Sequence, residues 1–123
     1  MGPTRVPAAS VYFIEMITFG INSNDLKKTA PILAAALDIP FRPHESCFRG
    51  GDYYRAETVH GTVSLQNNCD ADAASEVPFE DDWPRDRLIL YCDGLNDEAW
   101  RPFVKRVLAL TELQPAILSK KAG

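Results

Sequence analysis

Val11-Tyr12-Phe13-Ile14-Glu15-Met16-Ile17-Thr18-Phe19 is the stretch whose reading decides the fold. β-Branched and aromatic side chains fill it, and such side chains pack well on a pleated sheet surface. Only Glu15 interrupts the apolar run, so the segment reads as a central strand over residues 11–18, apolar on both faces, with Gly20 ending it. A second run of the same kind, RLILYC at 87–92, predicts a second central strand.

Between these strands the pattern changes period. Asn22, Ser23, Asn24 and Asp25 offer helix caps, and Leu26, Ala30, Leu33, Ala34 and Leu37 then recur at helical spacing as one buried stripe. Pro31 lies inside that stripe, where it either kinks the helix or marks its true first turn with Thr29 as the cap. Pro40 closes the helix. FRPHESCF and YYRAETV flank Arg49-Gly50-Gly51-Asp52, and His60-Gly61 leads into TVSLQ, so residues 41–67 read as a three-stranded meander. Beyond the second central strand, Asn96 caps a last helix with Trp100, Phe103, Val104, Val107 and Leu108 on its apolar side. PAILS then forms a short final strand.

The order is β-α-β-β-β-β-α-β. Two helices on one face of a largely antiparallel sheet is the economical way to bury these stripes, giving an α+β fold that is ferredoxin-like with an added hairpin. A chain of 123 residues has room for one such core, so residues 10–123 read as a single domain behind a loose tail at 1–9.

Composition narrows the function. Net charge is -4 and the sequence pI is near 5.1, which argues against direct nucleic-acid binding, because phosphate contact needs a basic stripe. Cys47, Cys69 and Cys92 form no C-x-x-C pair and no zinc-spaced group with histidine, so free thiols in a cytoplasmic protein are expected. The N-terminus lacks a signal-peptide core, and its early apolar run is too short for a bilayer span.

Acidity concentrates in one place. NNCDADAASEVPFEDDWPRDR, residues 67–87, carries Asp70, Asp72, Glu76, Glu80, Asp81, Asp82 and Asp86 around Trp83, with Pro78 and Pro84 breaking any regular element. Such a loop suits a basic protein partner, with the carboxylates opposing lysines or arginines and Trp83 as an anchor. Two plainer readings stand beside it: a solvated connection kept soluble by charge, and a tryptophan that plugs the loop onto the core. DADAASE lacks the glycine and terminal glutamate of an EF-hand loop, so no metal site is expected.

Catalytic signals are weak. His44 and Cys47 stand three apart in a strand, which turns their side chains to opposite faces and separates any nucleophile from its base. Arg49-Gly50-Gly51-Asp52 precedes strand-forming tyrosines rather than a helix, so it reads as a hairpin turn and not a phosphate cradle. The cluster of Arg42, Arg49, Tyr53, Tyr54 and Arg55 is a second candidate surface, since tyrosine and arginine favour interface hot spots. Its plainer reading has one tyrosine in the core and the arginines paired across strands with Glu45 and Glu57. No enzyme activity and no cofactor are expected.

At GGDYYRAE, SLQNN, FEDDWP and LILYCDG the chain resembles small bacterial toxin-immunity proteins, including those of contact-dependent growth inhibition systems, over residues 37 to 108. The resemblance implies a non-enzymatic protein that neutralises a cognate toxin, often a nuclease, by covering its active site. The alternatives are a regulatory domain binding a small ligand on a ferredoxin-like sheet, or a small enzyme using the Arg/Tyr cluster.

Overall fold

The computed structural model describes residues 15–46, 51–58, 61–68, 79–80, 82–94 and 97–122. Strands β1 (Glu15–Ile21), β2 (Arg42–Ser46), β3 (Gly51–Glu57), β4 (Gly61–Asn67), β5 (Leu88–Gly94) and β6 (Ala116–Ala122) form one sheet in the order β2-β3-β4-β5-β1-β6. Every neighbouring pair is antiparallel. Helix α1 (Leu26–Leu37) links β1 to β2, and α2 (Asp97–Leu108) links β5 to β6. β1 and β4 both pair with β5, so they run parallel to one another on either side of it. This is the ferredoxin-like core, and the β2–β3 hairpin extends it at one edge.

The helices share one face of the sheet. Ile17, Phe19 and Ile21 of β1, Val63 and Leu65 of β4, and Leu88, Leu90 and Cys92 of β5 alternate toward them, as the two-residue strand period requires. Leu26, Ala30, Leu33 and Leu37 of α1 and Val107 of α2 complete the core, with Phe103 and Val104 packed against it. A fully buried leucine or isoleucine here contributes roughly 1.5–3 kcal/mol relative to exposure.

Several local expectations change. β1 runs to Ile21, so Gly20 lies inside the strand, opposite Ile89 on one side and Ala116 on the other. Residues 11–14 of the expected strand fall outside the described residues. β4 and β5 are the middle pair, and β1 stands one place from the edge. The cap of α1 is Asp25, whose side chain accepts the Lys28 N–H at 3.0 Å, a contact worth about 1 kcal/mol. Thr29 is buried instead, its hydroxyl 2.7 Å from that of Ser23. Pro31 sits within the helix on its exposed side. Asp38 ends α1 in the left-handed conformation at φ 54°, its N–H donating to the Ala34 carbonyl. Leu108 stands 41% exposed rather than completing the apolar stripe of α2, and Trp100's side chain and Asn96 lie outside what is described.

Candidate partner-binding surface

The face of the sheet away from the helices is polar and yet largely buried at its middle. Thr18, Ser64 and Gln66 point that way and are 1–3% exposed, and Ile89 is fully covered. Its cover at β1 and β5 includes the acidic loop. A Cβ added to Gly20 would sit 2.4 Å from two ring atoms of Trp83, so the indole lies directly on the bare glycine backbone. A glycine inside a strand commonly marks such a close approach. The Tyr91 hydroxyl, also on this face, donates to a Glu80 carboxylate oxygen at 2.8 Å.

One buried side chain organises the described part of the loop, residues 79–80 and 82–87. Asn68, directly after β4, is fully buried. Its amide Nδ2 donates to the carbonyls of Glu80 (3.0 Å), Trp83 (2.7 Å) and Pro84 (3.2 Å), and its Oδ1 accepts the Glu80 N–H at 2.7 Å. Its backbone N–H donates to the Arg87 carbonyl at 2.9 Å, and its carbonyl accepts the Phe79 N–H at 3.1 Å. An irregular loop has no ladder of its own to satisfy its peptide groups, and Asn68 supplies what a strand neighbour would. The far end is tied as well. Arg87 Nε donates to Asn22 Oδ1 at 2.8 Å, the Leu88 N–H donates to the Ser23 carbonyl at 3.0 Å, and the Asn22 side chain donates to Gln114.

The expected site residues therefore divide. Asp82 and Asp86 stand exposed on the loop, Asp86 also 3.0 Å from Arg87. Glu80 turns inward to Tyr91 and is half-buried. Trp83 takes the plug role: it is half-buried on Gly20, and its indole Nε1 is buried without a hydrogen-bond partner. Asp70, Asp72, Glu76 and Asp81 lie outside the described residues. Composition alone does not single out Asn68 as an organising residue; the paired asparagines at the end of a strand, before a proline-broken loop, are the available signal.

The second candidate surface lies at the other end of the same face. Tyr54 turns toward the helices and meets Phe41 edge-on, with centroids 6.3 Å apart. Tyr53 points the opposite way, 8% exposed, and stacks on His44 at 5.4 Å and 23°. Arg55 pairs with Glu57 on its own strand at 2.7 Å, not across strands. Glu45 cannot reach these arginines because it lies opposite Asp52 on the helix side. A cavity of about 600 Å³ opens beside them, lined by Pro40, Arg42, His44, Arg55 and Glu57. Arg49 and Cys47 lie outside the described residues.

Chemistry at the described residues is sparse. Burial pushes the Cys92 thiol well up, and the neighbouring Asp93 charge adds to the effect, so this sulfur is a packing group. Among the described residues no group of three or more His, Cys, Asp or Glu side chains is placed to hold a metal ion, and no helix is long and apolar enough to cross a membrane. No protein-family model matches the chain, and no curated protein matches it in sequence.

Proposed function

We propose that this chain is an immunity protein of the contact-dependent growth inhibition type, a non-enzymatic bacterial protein that binds a cognate toxin in the cytoplasm. The observation that carries the reading is the mounting of the acidic loop. Asn68, Tyr91 and Gly20 hold its inner side, leaving Asp82 and Asp86 displayed on a fixed backbone. A segment held in place before binding, as residues 82–87 are, loses little conformational entropy in the complex, which is how a small charged surface reaches useful affinity. The partner is a toxin with a basic face. A nuclease fits that description, since its groove must attract phosphates and would attract carboxylates in their place. The interface needs no metal and no cofactor.

The test uses the protein encoded by the neighbouring open reading frame, titrated with this chain by calorimetry at several salt concentrations. The expected result is a one-to-one complex that weakens as salt rises. In Asp82→Ala/Asp86→Ala, association should slow and the salt dependence should flatten, because rim charges act mainly on the encounter. A neighbour that does not bind, or a double variant that binds like the parent at every salt concentration, would count against the reading.

A further inference from the structure

We propose that Arg42 and Arg55, with His44 beside them, form a binding site for a small molecule bearing a carboxylate or a phosphate. The site is separate from the acidic loop and stands or falls independently of the immunity reading. Arg42 and Arg55 are direct register partners across β2 and β3, on the sheet face away from the helices. Like charges directly opposite one another in a sheet are destabilising. The carboxylates of these two strands answer them poorly. Glu45 and Asp52 pair with each other's positions on the helix side, and Glu57 reaches only Arg55 Nη2. Arg42 has no ion pair among the described residues, and Arg55 Nε is buried without a partner. A buried donor without a partner is a cost that an oxyanion would remove, once the guanidinium turns to share it.

The surroundings suit a small ligand. The groove is open, with a volume of about 600 Å³, room for a small anion, and Pro40 gives it one apolar wall. His44 lines it with its ring stacked on Tyr53. Two guanidinium forks offer paired N–H donors that match the oxygens of a carboxylate or phosphate, which a lysine pair would not. The wall carries two guanidiniums and one carboxylate, so it attracts anions although the whole chain is acidic.

The experiment titrates the isotopically labelled protein with sodium phosphate and, separately, sodium benzoate. Sodium chloride at matched ionic strength is the reference, and the Arg side-chain and His44 resonances are followed at constant pH. Saturable shifts confined to residues 42–44 and 53–57 are expected with at least one of the two anions. Saturation by phosphate alone assigns a phosphate-bearing ligand, and saturation by benzoate alone a carboxylate. Arg42→Gln and Arg55→Gln should each weaken binding by about tenfold or more. Arg42→Gln should also melt no lower than the parent without anion, since it removes the like-charge pair. Arg42→Lys and Arg55→Lys keep the charge but lose the fork, and they too should bind more weakly. Shifts that track chloride without saturating, or glutamine and lysine variants that bind like the parent, would overturn the site.

Discussion

The two ends of the open sheet face are finished in opposite ways. At β1 and β5 the face is covered by described loop residues tied down by Asn68, Tyr91 and the backbone, with the Trp83 indole N–H left unpartnered. At β2 and β3 it is left open, with two arginines opposed and a cavity beside them. The first arrangement uses side-chain chemistry to hold shape, leaving Asp82 and Asp86 exposed. The second sets two guanidiniums opposite one another with a single carboxylate near them, the arrangement from which the anion site is proposed. The contrast separates residues that shape the loop from residues left facing outward, and it can be broken at either end.

The largest effect is expected at Asn68. Asn68→Asp keeps the shape but turns three donated contacts into a buried carboxylate facing carbonyl oxygens, so unfolding by urea should show a loss on the order of 3 kcal/mol. If Asn68→Asp is as stable as the parent, the loop is not held from this residue. Trp83→Ala should cost roughly 2–3 kcal/mol, below the usual range for a fully buried tryptophan because the ring is only half-buried. Trp83→Phe sharpens the point. The indole N–H has no partner, so the phenylalanine should lose less than half of that amount on chemical denaturation.

Gly20→Ala attacks the same contact from beneath. Its Cβ would meet the indole at 2.4 Å, and displacing the ring should cost about 1–3 kcal/mol and increase tryptophan exposure in fluorescence quenching. In the double variant Gly20→Ala/Trp83→Ala the two costs should add to less than their sum, as contacting residues do. Full additivity would mean that the ring does not rest on the glycine.

The smallest effect concerns Cys92. Burial, with Asp93 second, raises its folded pKa, so the native thiol stays neutral where the unfolded thiol ionises. The associated stability is full below the unfolded pKa, roughly 8.5, and declines as pH climbs above it toward the folded value. Stability measured across that alkaline range should therefore fall more in the parent than in Cys92→Ala, and the native thiol should resist alkylation at neutral pH.

Much of the architecture was legible because strand and helix periods leave different traces. The apolar runs at 11–19 and 87–92, the stripe from Leu26 to Leu37 and the glycines at 50, 51 and 61 signal the element order that the described residues show. Gly61 is where a turn demands glycine: φ is +154°, and a Cβ would fall 1.7 Å from the Asp93 carbonyl oxygen. Boundaries were less legible. Gly20 reads as a terminator in one dimension, and only the arrival of Trp83 from 63 residues away explains a glycine kept inside a strand. Thr29 resembles a cap beside Pro31, yet Asp25 holds the better geometry one turn earlier. The arginine pairing failed for a topological reason. Whether Arg42 faces Arg55 or a glutamate depends on the β2–β3 register, which the composition of the strands does not reveal.

The most direct test of the account compares both ends of the face against the same partner. Binding of the neighbouring gene's product is measured for Asp82→Ala/Asp86→Ala and for Arg42→Gln/Arg55→Gln, each confirmed folded, at low and moderate salt. The account predicts that the aspartate variant associates several-fold more slowly at low salt, converging on the parent as salt rises, and that the arginine variant binds like the parent. Loss of binding in the arginine variant, with the aspartate variant unchanged, would contradict it and move the interface to the β2–β3 edge.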